Sequence, residues 1–341
     1  MREVFHLSVF TNKTKYNTLA FMEQAIRDFA KQFAFSPKII NRENLKTADI
    51  FVLVGMGGSH LAGDILLARK PEFPITIWSN YGLPKIVSPE RTLIIISSYS
   101  GDTEETLDAF ETARKAGHNT IAISKGGELL RVARENKTPF IELPKSDIPP
   151  RSALGFSLLA LIHALGEKKF EKELSLLQSS LFPDEFEKDG KKIADQLYGF
   201  VPVIYSYARN SGIAYNWKIK FNETGKIPAF SNIVPELNHN EMNGFDATST
   251  TRSLCDAFSF IFIESADDDQ RTQKRLRILK EMYTARGLSV ISSPLGGKSF
   301  HHLFSSLLTA DWAAFHTALL YKRDPLTVPM IREFKVRMKS L

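Results

Sequence analysis

Short apolar runs alternate with segments of helical apolar spacing through the first half of the chain. The apolar runs predict strands at residues 50–54, 74–78, 93–97, 120–124 and 140–143. The periodic segments predict helices at residues 16–33, 61–69, 103–116 and 128–135. Wholly apolar strands separated by helices indicate a parallel sheet that is covered on both faces.

The second half of the chain repeats this alternation. Strands are predicted at residues 201–205, 229–233, 258–263 and 288–291, and helices at residues 211–221, 270–285, 303–320 and 328–338. Residues 166–192 are charged and helical in character, with no run typical of a strand. We therefore expect an α/β protein with a first domain over residues 1–165, a helical crossing over 166–192 and a second domain over 193–341.

Composition narrows the class of protein. The 341 residues are 43% hydrophobic and 24% charged, as in an ordinary globular protein. The longest apolar runs have about five residues, whereas a membrane span needs about 20. Cys255 is the single cysteine, which excludes an intramolecular disulfide and a cysteine-rich zinc site. Because the N-terminus also lacks the apolar core of a secretory signal, we expect a cytoplasmic protein with no membrane partner.

The net charge of +6 does not predict a nucleic-acid partner. The densest basic stretch, residues 270–280, directly follows the acidic residues 267–269. Acidic residues are typical of a first helical turn, so this segment is interpreted as a solvated helix. A modest positive field would also attract an anionic metabolite.

Two predicted strands are followed by loops that suit an anion. Glycines and a serine, Gly57, Gly58 and Ser59, follow the first strand, and Ser98, Ser100 and Thr103 follow the strand at residues 93–97. Both loops lead into a helix N-terminus, where free N–H groups and the helix dipole favour negative charge. The hydroxyls can add donors around a phosphate.

Two nucleotide-binding motifs are rejected on their spacing. A dinucleotide fingerprint needs a third glycine where this chain has His60, and an acidic residue that is absent after the next strand. Residues 296–299 are similar to the end of a P-loop, but the required first glycine is Ser292.

The second half supplies candidates for acid–base chemistry. Glu223 follows the helix predicted at residues 211–221, and His239 lies in the polar segment 235–242. A carboxylate and a histidine on neighbouring loops are the minimum for proton transfer on a carbonyl or hydroxyl substrate. Arg151 begins a helix after two prolines. Three further histidines, His301, His302 and His316, lack a metal-ligand spacing, and we expect no metal site.

Taken in order, these segments resemble the bifunctional phosphoglucose/phosphomannose isomerase family, which has two sugar isomerase (SIS) domains. The resemblance extends from about residue 45 to the C-terminus. The serine-rich loop alone indicates a phosphosugar-binding SIS domain, whereas Asn222-Glu223 followed by Leu237-Asn238-His239-Asn240-Glu241 is much more specific to this family.

The resemblance implies a role for each candidate. Ser98, Ser100 and Thr103 would hold the phosphate of a sugar 6-phosphate, and Gly57, Gly58 and Ser59 would line the sugar. Glu223 would be the base that moves a proton between C2 and C1. Arg151 would stabilise the cis-enediol(ate), and His239 of the partner subunit in a homodimer would assist ring opening. Lys335 would contact the substrate, with Lys339 as a competing assignment. No cofactor is implied.

Other functions remain open at this point. His60 stands where the family has a small residue, so His60 and Thr327 could restrict the enzyme to one aldose. A non-catalytic phosphosugar-binding regulator is a different class, but such proteins usually carry a basic DNA-binding segment, and this chain has both Glu223 and His239. A glutamine-dependent amidotransferase would need an N-terminal catalytic cysteine.

Overall fold

The first sheet carries the two loops that the sequence singled out. The computed structural model describes residues 12–338, with side chains from Asn17 onward. The strands of this sheet are β1 Ile39–Ile40, β2 Ile50–Val54, β3 Ile75–Trp78, β4 Thr92–Ser97, β5 Thr120–Ser124 and β6 Phe140–Glu142. Their order is β1-β6-β5-β4-β2-β3, and every pair is parallel except β1 with β6. The two-residue strand β1 was not predicted.

Helices precede and follow these strands. They are α1 Asn12–Arg27, α2 Leu61–Arg69, α3 Glu104–Lys115, α4 Gly127–Glu135 and α5 Leu154–Leu165. The connection to the second sheet is helical and contains α6 Lys168–Ser175, α7 Leu177–Ser180 and α8 Glu187–Leu197.

The second sheet is smaller and wholly parallel. Its strands are β7 Val201–Tyr207, β8 Phe230–Val234, β9 Phe258–Glu264 and β10 Ser289–Pro294, in the order β10-β9-β7-β8. The helices of this half are α9 Ser211–Lys220, α10 Glu241–Gly244, α11 Arg252–Cys255, α12 Gln270–Ala285, α13 Phe300–Leu320 and α14 Pro329–Met338. The predicted α/β class with mostly parallel sheets is confirmed.

One hydrophobic core joins the two sheets. It includes Ile95 and Ile123 of the first sheet together with Ile204 and Ile261 of the second. Helices α2, α5, α9 and α13 contribute to the same cluster. The opposite face of the first sheet packs against α3 and α4, and that of the second against α12. The shared core fixes one half against the other, so residues from both halves can meet in one site.

The predicted helix over residues 16–33 is wrong in its second half. α1 ends at Arg27, and a 3₁₀ turn follows at Phe29–Ala34. Buried Gln32 explains the change, because its amide donates to Ser152 O at 2.7 Å and accepts from Gly155 N at 3.0 Å. Side-chain bonding to a distant segment therefore outweighs the local helical pattern. Among residues 12–338, no helix is both long and apolar enough to cross a membrane.

An ion pair lies inside the core between α9 and α13. Lys220 Nζ donates to Asp311 Oδ1 at 2.6 Å, and the side chains are only 1% and 8% exposed. Burial raises the pKa of the Asp311 carboxyl, although the Lys220 ammonium opposes that shift. Each charge is tolerated in the core because the other is present.

Removing one member of this pair should therefore destabilise the protein strongly. Lys220→Met or Asp311→Ala alone should lower the free energy of unfolding by about 3–5 kcal/mol, because an unpaired charge stays buried. The double variant Lys220→Met/Asp311→Leu should recover most of the loss. Urea unfolding followed by tryptophan fluorescence measures both. Single variants with the wild-type midpoint would contradict this account.

Candidate active site

The loop between β4 and α3 is closed by its own hydroxyls. Ser98 is fully buried, and its Oγ accepts from Gly101 N at 3.1 Å and donates to Thr103 Oγ1 at 3.1 Å. Exposed Ser100 accepts from Asp102 N at 3.3 Å. Gly101 has φ +83°, and a Cβ there would lie 1.9 Å from Gly126 O. Only glycine fits this turn, which presents hydroxyls beside the N-terminus of α3.

The loop after β2 lies directly beside it. Ser59 Oγ accepts from Tyr99 N at 3.0 Å, and Ser97 Oγ donates to Ser59 O at 3.0 Å. Exposed Gly57 precedes Gly58 in the same loop. The structure thus brings the two predicted loops together, because β2 and β4 are neighbours in the sheet.

A third loop brings Arg151 to the same place. A Cβ on Gly58 would lie 2.9 Å from Pro150 Cβ and 3.0 Å from Arg151 N, so the two backbones are in close contact. The 3₁₀ turn Pro150–Ser152 carries Arg151 immediately before α5. Glycine at position 58 therefore lets the loop after β2 approach the backbone of Arg151 closely.

The Arg151 guanidinium joins both halves of the chain. It is 2% exposed, and its Nη1 donates to Glu223 Oε2 at 3.1 Å. Its Nε donates to Thr224 Oγ1 at 2.8 Å, while Nη2 donates to Pro325 O at 2.8 Å and Leu326 O at 3.1 Å. Burial lowers the pKa of the guanidinium, and the nearby Glu223 carboxylate opposes that shift. An arginine remains charged in this setting.

Glu223 lies on a single π-helical turn, Phe221–Gly225, that follows α9. Such turns occur frequently at functional sites. Asn222 Nδ2 donates to Ile227 O at 3.1 Å and closes the turn. The Glu223 side chain is 25% exposed, and within the described residues its Oε1 makes no hydrogen bond. One carboxylate oxygen is therefore held by Arg151, while the other is available to a ligand.

The sequence did not predict that Lys226 would join Glu223 to the segment Asp324–Thr327. Lys226 Nζ donates to Glu223 O and to Thr327 O. Burial, followed by repulsion from Arg151, lowers the pKa of the Lys226 ammonium to about 8. The available sequence signal was a lysine three residues after the candidate base, but its second partner is 101 residues further along the chain.

His60 is buried between α2 and α9. Its Nδ1 lies 3.0 Å from Asp64 Oδ2, and its ring stacks on Tyr215 with centroids 5.8 Å apart. Burial raises the pKa of the Tyr215 hydroxyl, and Asp64 and Glu223 reinforce the shift. His60 thus belongs to a polar cluster that borders the turn of Glu223.

Within the described residues, no hydrogen bond or ion pair joins His239 or Lys335 to this cluster. His239 is exposed on the 3₁₀ turn Glu236–His239 after β8, and its imidazole makes no hydrogen bond with other described residues. Lys335 is exposed on α14, a helix without a buried residue. Lys339 lies outside the described residues.

The arrangement can bind an anion and move a proton. A hydroxyl-rich loop ends at the N-terminus of α3, the loop of Gly58 packs against the backbone of Arg151, and a carboxylate with one unbonded oxygen lies next to the buried Arg151 guanidinium. A carboxylate can take a proton from carbon, and an adjacent guanidinium stabilises an oxyanion that forms there. Within residues 12–338, no group of three or more His, Cys, Asp or Glu side chains is placed to hold a metal ion.

Comparison with known proteins finds the same family along most of the chain. Residues 186–338 match the model of the bacterial phospho-glucose isomerase C-terminal SIS domain. The bifunctional phosphoglucose/phosphomannose isomerase of Aquifex aeolicus is 34% identical over 296 residues, which cover 85% of this chain and 90% of that protein. Its counterpart in Caldicellulosiruptor bescii is 32% identical over 319 residues, which cover 87% and 92%.

Solved structures show the same fold. A hypothetical protein from Thermus thermophilus superposes with a TM-score of 0.67 at 18% identity, covering 97% of this chain and 91% of that one. At this identity, the similarity concerns the arrangement of the sheets and helices.

Proposed function

The chain belongs to the bifunctional phosphoglucose/phosphomannose isomerase family, and from this membership we propose that it interconverts glucose 6-phosphate and mannose 6-phosphate with fructose 6-phosphate. The observation that carries the proposal is the Glu223 carboxylate, which has one oxygen 3.1 Å from the buried Arg151 guanidinium and the other unbonded among the described residues. The reaction is an internal redox exchange between two carbons and needs neither a metal nor a cofactor.

The phosphate of the substrate binds at the loop between β4 and α3. Ser98, Ser100 and Thr103 supply hydroxyls there, and the first turn of α3 supplies backbone N–H groups that lack partners within the helix. Gly57, Gly58 and Ser59 line the sugar from the neighbouring loop. Because the phosphate does not react, its binding energy can orient the sugar toward Glu223.

Glu223 transfers the proton. Its carboxylate takes the proton from C2 of the open-chain aldose, and the electrons of that C–H bond move toward the carbonyl oxygen at C1. This gives a cis-enediol(ate), whose negative charge Arg151 stabilises. The proton of the C2 hydroxyl passes to the oxygen on C1, and Glu223 returns the carbon-bound proton to C1, which yields the ketose. Glucose and mannose 6-phosphates differ only in configuration at C2, which becomes planar in the intermediate, so one site can serve both.

His239 acts across the interface of a homodimer. In the protomer it is exposed and lies directly after β8, an edge strand on which Phe230 is 54% exposed. Phe230 begins β8 and His239 follows the end of that strand, so both belong to one edge of the sheet, which suits a surface that a second copy covers. There His239 of the partner subunit would assist opening of the sugar ring, and Lys335 would contact the substrate. We place this enzyme in the cytoplasm.

Neutralising the base should abolish turnover without abolishing binding. Glu223→Gln keeps the shape of the side chain but removes its basicity, so kcat should fall roughly 10²–10⁴-fold or more. A coupled assay measures kcat, and calorimetry with fructose 6-phosphate should give a dissociation constant close to that of the wild type. Glu281→Gln, on the exposed face of α12, is the control that should leave both unchanged. A near-normal kcat in Glu223→Gln would refute the base assignment.

Mixed dimers test the position of His239. Glu223→Gln and His239→Asn should each lose activity alone. If His239 serves the other protomer, a random mixture contains heterodimers with one intact site, and about a quarter of wild-type activity should return. Glu223→Gln mixed with Arg151→Lys is the control, because both residues belong to the same protomer's site and no site is restored. If the mixture of Glu223→Gln and His239→Asn regains no isomerase activity, His239 does not complete the site of the other protomer.

A further inference from the structure

Lys226 occupies an unfavourable backbone conformation next to the proposed base. Its φ of +62° and ψ of +30° are left-handed, directly after the π-helical turn of Glu223. Glycine or asparagine adopts this conformation most readily. Lys137 has a similar φ of +53°, but it is exposed at the end of α4. The chain therefore contains a natural comparison for the effect of the backbone alone.

The Lys226 ammonium connects two segments that are distant in sequence. Nζ donates to the backbone oxygen of Glu223 and to that of Thr327. The first oxygen belongs to the turn that holds the base, and the second to the segment Asp324–Thr327, here named the C-terminal strap. The ammonium does not contact the Glu223 carboxylate and so differs from Arg151 in its role.

The C-terminal strap turns three successive carbonyl groups toward two cations. Arg151 Nη2 binds the oxygens of Pro325 and Leu326, and Lys226 binds that of Thr327. Asp324 stabilises this conformation, since its carboxylate accepts from Leu326 N at 3.0 Å and from the Thr327 hydroxyl at 2.5 Å. Only the bond from Lys226 ties the strap to the main chain of Glu223 within the described residues.

We propose that Lys226 is a positioning residue, which fastens the C-terminal strap to the turn of Glu223 and so keeps the carboxylate in one place relative to Arg151. The proposal rests on the proposed function for its kinetic consequence but not for its structural one. Without the ammonium, the strap and the turn are joined only through the Arg151 side chain, and no bond holds Thr327 to the main chain of Glu223. A small displacement of a reacting group is enough to slow the chemical step while substrate binding persists.

The charge of Lys226 should make the alignment depend on pH. The charged groups that face it are Arg151, Glu223, Arg323 and Asp324. Burial and Arg151 lower the pKa of Lys226 to about 8, so its charge is present below that pH and is lost as the pH rises through it. Charge-assisted hydrogen bonds are stronger than neutral ones, so loss of the proton weakens both bonds. An arginine at this position would keep its charge throughout this range.

Three variants separate the ammonium from the backbone. Lys226→Gly removes the ammonium but suits the left-handed conformation, so the protein should fold without backbone strain at this position. We expect kcat to fall roughly 10–100-fold, with KM within about threefold of the wild type. Lys226→Arg should retain most of the activity and move the alkaline limb of the pH profile upward. Lys137→Gly is the matched control and should leave kcat unchanged.

Hydrogen exchange without substrate supplies a readout that is independent of catalysis. In Lys226→Gly, amides of residues 323–327 should exchange faster than in the wild type, and those of Lys137→Gly should not. Wild-type exchange and wild-type kcat in Lys226→Gly would overturn the proposal, even with an active wild-type enzyme. Faster exchange in a protein whose wild type isomerises neither sugar phosphate would instead support the positioning role and refute the proposed function.

Discussion

The site depends on a single buried guanidinium. Burying a charge is unfavourable unless partners replace the lost water, and Arg151 finds them in a carboxylate, a hydroxyl and two backbone oxygens. Those partners come from the turn of Glu223 and from the segment that follows α13. One side chain from the first half of the molecule thereby fixes the proposed base and the C-terminal strap, both from the second half. The shared hydrophobic core makes this meeting possible.

The same arrangement suits the charge movement of the proposed reaction. When the proton moves from C2 to Glu223, negative charge leaves the carboxylate and develops on a substrate oxygen. A fixed cation next to both positions stabilises the charge before and after the transfer, without reorganising water. Further charges of both signs lie near Arg151 and Glu223 and belong to the folded scaffold. They are Asp311, which pairs with Lys220, together with Asp324 and Lys226.

The sequence predicted the parts of the site that depend on local pattern. Apolar runs located β2 and β4, and the glycines and hydroxyls after them predicted that the loops containing Ser59 and Ser98 suit an anion. Contacts over long separations were not accessible. The 3₁₀ turn at Phe29–Ala34 depends on Gln32 bonding to Ser152, and the role of Lys226 depends on Thr327. The roles of His239 and Lys335 came from the family resemblance and stay predictions, as do the domain boundaries.

The most direct test that one Glu223 carboxylate serves both sugars is a coupled assay of the purified wild-type protein in EDTA, with glucose 6-phosphate and mannose 6-phosphate supplied separately. A single carboxylate that works through a planar intermediate should form fructose 6-phosphate from both. Activity on only one aldose, or phosphosugar binding without turnover of either, would contradict the account.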